Sequence, residues 1–179
     1  LLFGVGRAYG LEVLLRKKRG KLTGWIGYTW SRTERLIDGI NNGNWYPAKQ
    51  DITHDLSIVG IYDISKNWSV SATWVYNAGN AVTFPSGKYL VNGNVRYYYT
   101  ERNGYRMPDY HRFDIGATRM LKKTAKAESS LNFSVYNAYG QKNPFTIDFE
   151  PDENNPEVIN AVKTYLFTFV PSITYNFKF

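Results

Sequence analysis

The chain has no cysteine, only two histidines and only two methionines. Without cysteine there can be no disulfide framework and no thiolate metal site. No window is long and apolar enough for a transmembrane helix, and mean hydropathy is −0.43. That absence leaves a membrane β-barrel open, because barrel strands are half polar and hydropathy averages them away. No Ser, His and Asp set stands in a supportive local context, so no catalytic site is expected and the chain does not read as an enzyme. Gly4-x-Gly6-x-x-x-Gly10 imitates a dinucleotide fingerprint, but its spacing is one residue too long and a strand follows. No nucleic-acid-binding module of the usual kinds is present, so no nucleic-acid partner is expected despite the net charge of +7. The start, Leu1-Leu2-Phe3-Gly4, shows neither an initiator Met nor a basic leader, and we expect a piece of something longer.

Aromatic residues are what the chain has in excess: 15 Tyr, 10 Phe and 5 Trp, or 17%. They concentrate in period-two patterns. From Tyr165 to Phe179 the odd positions read Tyr, Phe, Phe, Pro, Ile, Tyr, Phe, Phe, while the even positions from Thr168 onward are mostly polar. Such contrast at a period of two marks a strand with one apolar and one polar face. The same alternation predicts strands over residues 6–17, 22–35, 54–64, 68–76 and 111–121, and from 129 onward to as far as 147. A small hairpin is expected over 89–99 around Asn92-Gly93, a pair suited to a tight turn. The connections alternate between short turns and long polar loops, including an Asn- and Gly-rich loop over 36–51 and an acidic loop over 148–162. An antiparallel up-and-down meander then has its short turns at one end and its long loops at the other, as outer-membrane barrels do. The expected fold is therefore all-β, with about seven long strands forming the wall of a transmembrane β-barrel. Seven is too few and odd for a closed bacterial barrel, which supports the expectation of a fragment.

Nine of the 22 basic residues fall at the short-turn end: Arg16, Lys17, Lys18, Arg19, Lys21, Lys66, Lys122, Lys123 and Lys126. Ordinary solvated turns and a rim near phospholipid headgroups both account for them. The two histidines occupy matching places, His54-x-Leu56-x-Ile58 and His111-x-Phe113-x-Ile115, on the apolar parity at the loop end. They read as rim residues hydrogen-bonded to polar neighbours. Asp51, Asp55 and Asp109 are near them only in sequence, so no metal site is expected. Asp148, Glu150, Asp152, Glu153 and Glu157 lack the spacing of a calcium loop and read as a solvated loop. No cofactor is expected.

Several stretches carry a family resemblance. They are Gly10-Leu11-Glu12-Val13-Leu14-Leu15-Arg16-Lys17, Leu22-Thr23-Gly24-Trp25-Ile26-Gly27-Tyr28-Thr29-Trp30-Ser31, His54-Asp55-Leu56-Ser57, Tyr110-His111-Arg112-Phe113-Asp114 and Asn132-Phe133-Ser134-Val135-Tyr136-Asn137. The last is the ending Pro171-Ser172-Ile173-Thr174-Tyr175-Asn176-Phe177-Lys178-Phe179. On these the whole chain, 1–179, resembles the C-terminal part of a TonB-dependent outer-membrane receptor of the Bacteroidetes type. The resemblance implies a barrel of about 22 strands, of which these are the last seven. It implies a plug domain and a TonB-box segment, neither of which this sequence contains. It further implies energised uptake of a large or scarce solute (siderophore, peptide or glycan), with outer-membrane lipid, the barrel-assembly machinery and TonB as partners. Tyr175, Phe177 and Phe179 resemble the terminal signal read by that machinery, where an unpaired strand offers backbone hydrogen bonds for strand addition. In the long loops, Asn41, Asn44, Trp45, Tyr46, Tyr97, Tyr98 and Tyr99 are the residues expected to stack on or hydrogen-bond a solute. A plugless outer-membrane barrel, adhesin or porin-like, and a soluble glycan-binding β-sandwich remain open alternatives. If the chain is one wall of a larger barrel, the outer edge of the last strand should not bond to the first.

Overall fold

A computed structural model describes residues 3–92, 94–124, 126–152, 154–155 and 158–179. Fourteen strands follow one another: β1 (Gly4–Lys17), β2 (Leu22–Ile37), β3 (Tyr46–Pro47), β4 (His54–Asp63), β5 (Trp68–Asn77), β6 (Ala81–Val82), β7 (Gly87–Val91), β8 (Asn94–Tyr98), β9 (Tyr105–Arg106), β10 (Tyr110–Lys123), β11 (Glu128–Tyr136), β12 (Thr146–Pro151), β13 (Ile159–Thr164) and β14 (Val170–Lys178). Seven of them form one antiparallel sheet in the order β1-β2-β4-β5-β10-β11-β14, with β3 added beside β2. The chain is thus all-β, and its main sheet is an up-and-down meander of seven long strands. Short turns at 18–21, 64–67 and 124–127 lie at one end; long connections over 38–53, 78–109 and 137–169 lie at the other.

Cross-strand partners share a face, so the pairing register sorts every side chain in the sheet. Leu11 pairs with Trp30, Val13 with Tyr28 and Leu15 with Ile26; Ile26 pairs with Ile58, and Ile58 with Trp74. Trp74 pairs with Phe113, Ala117 with Phe133, and Phe133 with Ile173. These residues make one apolar face that runs unbroken from β1 to β14. The opposite face carries Thr29 against Asp55, Asp55 against Asn77, Asp114 against Thr73, Thr118 against Asn132, and Asn132 against Thr174. Aromatic rings band the apolar face at both ends. Tyr9, Tyr28, Trp30, Trp74, Tyr76 and Phe113 stand toward the loops; Tyr62, Trp68, Tyr175 and Phe177 stand toward the turns.

Nothing in the described chain covers that face. Leu11 is 61% exposed, Ile173 69% and Phe177 57%. The buried apolar residues are Tyr46, Ala48 and Ala81, all in the loop-end connections. Both outer strands keep an open edge: among the described residues β1 pairs only with β2, and β14 only with β11, so the sheet does not close.

Three expectations need adjusting. The sixth long strand stops at Tyr136 rather than reaching 147, because Asn137 takes a left-handed backbone (φ 53°) and turns the chain away. Residues 148–162 are not a plain loop; β12 and β13 pair there as a separate hairpin. The final strand begins at Val170 and not at Tyr165, since its partner β11 ends at Tyr136, opposite Val170. The expected hairpin is present as β7 and β8, with Asn92 at φ 51°; Gly93 lies outside the described residues, as do Leu1, Leu2, Glu153 and Glu157.

Close approach of backbones fixes Gly4, Gly10 and Gly24 in the sheet, Gly24 the most tightly. Gly24 has φ 152°, and a Cβ there would run into the carbonyl oxygen of Val59 on the neighbouring strand. Its cross-strand partner Gly60 has open space where a Cβ would stand. Gly24→Ala is expected to destabilise by about 2 kcal/mol, because backbone must shift to admit the methyl group. Gly60→Ala should stay within about 0.5 kcal/mol. Thermal unfolding followed by tryptophan fluorescence distinguishes the pair.

Candidate functional site

The long connections gather at one end of the sheet, where short polar side chains tie each to a strand top. Asp51 is the centre of the first tie. Its carboxylate is 1% exposed and accepts from the Thr33 backbone N–H of β2 and from the Arg106 guanidinium of β9. Arg106 also donates to the Asp51 carbonyl at 2.8 Å and to the Gly79 carbonyl at 3.3 Å. One ion pair thereby joins β2, the first long connection and the second. Asn41 adds a two-way clamp: its amide donates to the Arg102 carbonyl at 2.9 Å, and its carbonyl accepts from the Arg102 N–H at 2.7 Å. Asn103 donates to the Pro47 carbonyl at 2.9 Å.

The third connection is fastened in the same manner. Asn137, 1% exposed, receives the Gln141 N–H and donates to the Gln141 carbonyl, while its own N–H donates to Asp114 at 2.8 Å. Asn143 brackets the His111 backbone by accepting its N–H at 3.1 Å and donating to its carbonyl at 2.9 Å. Asp109, just before β10, accepts from the Tyr76 hydroxyl at 2.7 Å and from the Gly79 N–H at 3.1 Å. Those two hydrogen bonds, the tyrosine's first, hold its carboxyl below the usual 3.8.

Between the connections lies a cleft of about 690 Å³. Arg35, Lys49, Gln50, Asn80, Arg102 and Asn103 supply its polar lining, and Tyr46, Phe84, Met107 and Phe145 its apolar lining. Residues from all three long connections meet there. A hollow of this size, mixing a few polar groups with aromatic walls, suits a small organic solute or part of a larger one. Its lining holds three cations and no carboxylate.

The residues expected to contact solute fall in different places. Asn41, Asn44, Trp45 and Tyr46 line a smaller neighbouring hollow of about 330 Å³. Within it Asn41 is occupied by the Arg102 clamp, and Tyr46, 3% exposed, is a packing residue that also walls the larger cleft. Trp45 lies under the Arg7 guanidinium, 4.2 Å from the ring centre, and Arg7 in turn pairs with Glu34. Tyr97 leans on the third connection, its hydroxyl donating to the Phe149 carbonyl at 3.3 Å. The Tyr98 ring packs over Gly87. Tyr99 is 57% exposed and lines a third hollow together with Asn41. At the far end of the sheet Tyr175 and Phe177 stand exposed on the apolar face of β14, and the Phe179 ring follows 5.8 Å from Phe177.

Each histidine finds a tyrosine hydroxyl: His54 Nδ1 with Tyr28 and His111 Nδ1 with Tyr139, both at 2.8 Å. Among the described residues no group of three or more His, Cys, Asp or Glu is placed to hold a metal ion. Asp51, Arg106 and Asn137 were not singled out as anchors from sequence. In a run such as Ala48-Lys49-Gln50-Asp51, an aspartate that becomes buried looks like any solvated one. Compared with known proteins, the chain matches no family model, no curated protein and no solved structure.

Asp51→Ala would leave the Thr33 N–H without its acceptor and Arg106 without its carboxylate partner, with only the Asp51 and Gly79 carbonyls to donate to. A loss of about 2–3 kcal/mol is expected, seen as a lower unfolding temperature. The Asp109 clamp should depend on pH. Because its folded-state pKa is lowered, its contribution is complete above the ordinary carboxylate value and is lost as pH falls through the lowered one. The protection of the Gly79 amide, its exchange rate relative to that of an unstructured chain at the same pH, should therefore fall on acidification in the parent, and be low at every pH in Asp109→Ala.

Proposed function

We propose that this chain is part of the wall of a transmembrane β-barrel in the bacterial outer membrane, belonging to a TonB-dependent receptor that takes up a large or scarce solute. The observation that carries the membrane reading is the uncovered apolar face, continuous over seven strands and banded by aromatic rings at both ends. Burying one Leu, Ile or Phe side chain is worth about 1.5–3 kcal/mol, so leaving a whole sheet face of them in water opposes folding strongly. Soluble monomers rarely expose apolar patches of more than a few hundred Å². Lipid resolves the conflict without a second protein layer. From Trp68 to Tyr76 the chain advances about 27 Å along the strand at the usual rise per residue. Tilted by about 40°, that places the aromatic bands some 20 Å apart, near the height of the apolar belt of outer-membrane barrels.

The open edges of β1 and β14 call for further strands. A longer chain that supplied them would close the wall, with the polar face turned inward and the long connections outside. Assignment to the TonB-dependent class rests on the sequence resemblance, and in particular on the ending through Tyr175, Phe177 and Phe179. Partners under this reading are outer-membrane lipid, the barrel-assembly machinery, and TonB through a segment beyond this chain. The converging connections and their cleft are where solute would be met, with Tyr99, Asn44 and the cleft walls as the contacting groups. A soluble glycan-binding sandwich would need a second layer on the apolar face, and among the described residues none is there.

The membrane reading predicts that the protein stays folded in detergent micelles or liposomes and aggregates when detergent is removed. Folding as a dispersed monomer in plain buffer would sink it. The receptor reading makes a separate prediction for the intact protein: uptake that stops when TonB or the proton gradient is removed. Replacement of Tyr99 and Asn44 by Ala should weaken solute binding by about 10-fold or more, measured on cells or by titration; unchanged affinity would remove those residues from the site.

A further inference from the structure

The turn-end margin of the apolar face carries cations whose positions are set by the strand register. β10 passes through a β-bulge between Met120 and Lys122. Simple alternation would leave Lys122 on the polar face with Thr118 and Met120. The extra residue, Leu121, instead brings Lys122 opposite Ser129, which itself faces Phe177. Lys122 thereby joins the apolar face. Arg119 is already on it, paired with Trp68 on one side and Leu131 on the other, its guanidinium carbon 5.6 Å from the Trp68 ring centre.

Carboxylates at this end are turned the other way. Asp63 pairs with Ser69, and Glu128 pairs with Lys123 and Lys178, all on the polar face. Among the described residues no acid forms an ion pair with Arg119 or Lys122. A cation on an apolar surface is costly unless its head reaches an anion or water beyond the apolar zone. Two such cations lie about two strand positions apart on one strand, beside aromatic rings. They leave an anionic position at the edge of the apolar face and hydrocarbon-binding surface next to it.

We propose that Arg119 and Lys122, framed by Trp68 and Phe177, bind the phosphate of an anionic phospholipid at the turn end of the sheet, with the acyl chains lying along Leu131 and Phe133. The assignment rests on the membrane reading above. The bulge at Leu121 is the device that makes the site, since it delivers the second cation to the lipid-facing side. Arg119 forks toward the phosphate oxygens while its guanidinium stays near the indole face, and Lys122 acts as a mobile point charge.

The test uses the full chain in zwitterionic detergent micelles doped with either phosphatidylglycerol or phosphatidylcholine, with retained lipid counted by native mass spectrometry. The parent is expected to retain phosphatidylglycerol about 10-fold better than phosphatidylcholine, and the preference should weaken several-fold between about 50 mM and about 500 mM salt. R119Q/K122Q should abolish the preference, while K18Q/K66Q, which removes equal charge from the short turns, should keep it. R119K should keep most of it and K122S should lose at least about half, which guards against a double variant that fails to fold. Inorganic phosphate at about 10 mM should not displace the lipid; displacement would mean a free-anion site and overturn the assignment. Equal losses from both double variants would also overturn it, showing only the pull of net charge. Retention of both lipids alike would remove this site and leave the membrane reading standing, whereas retention of neither would remove both.

Discussion

An unbroken antiparallel register is the constraint on which the rest of this structure depends. Side chains alternate across a strand, so a slip of one residue between any two neighbours would send a strand's apolar residues to the polar side. Across six consecutive pairings the parity holds, from Leu11 opposite Trp30 in the first to Phe133 opposite Ile173 in the last. The single register shift among them, at Leu121, comes at the turn end of β10. Lateral backbone bonds satisfy the peptide groups of the five inner strands on both sides. Side-chain packing within the sheet then has little left to do, and few of its residues are buried. What the register produces is a two-sided surface, and the energetics of that surface must be settled by whatever lies against it.

The loop end solves a different problem. Long connections have many peptide groups and little apolar surface to bury. They are held by polar side chains that imitate a strand partner or a cap: Asp51 for the Thr33 N–H, Asn143 for both backbone groups of His111, Asn137 for both groups of Gln141. Each anchor is a short side chain with little rotamer entropy to lose. Where the anchors draw the three connections together they leave a cleft with cations on its walls. Its walls therefore stand on fixed backbone even though the connections are long, which a binding site needs if solute is not to spend its affinity ordering loops.

Much of this was legible in the sequence, for a physical reason. Seven strands, their faces and the short-turn and long-loop asymmetry all follow from a period of two, and a sheet with one apolar and one polar face writes that period plainly. Harder to read were features decided by partners distant in sequence. Residues 165–169 alternate as well as residues 170–178 do, yet only the latter pair with β11, because Asn137 has already turned that strand's chain away. The β12–β13 hairpin hides in an acidic stretch whose pattern resembles a loop. Solute-contact candidates chosen for being aromatic or amide-bearing were scattered by packing: Tyr46 went inward, Tyr97 leaned on a neighbouring loop, and Tyr99 stayed exposed.

The placement of charge separates two explanations of the basic composition. A net charge of +7 could be a bulk property, spread over solvated turns and indifferent to face. On the turn-end stretches of the strands the cations lie on both sides, Arg119, Lys122 and Lys17 on the apolar one and Arg16, Lys123 and Lys178 on the polar one, while the carboxylates Asp63 and Glu128 lie on the polar side alone. A soluble protein has no reason to sort its charges so that cations alone border its largest apolar surface. Under the proposed membrane reading a lipid leaflet would supply that reason, since the anions that border its hydrocarbon are phosphates, and only cations on that face could meet them. Under the membrane reading proposed above, the face that would lie against lipid is the one whose margin carries these cations, Lys122 among them through a bulge that alternation alone does not announce.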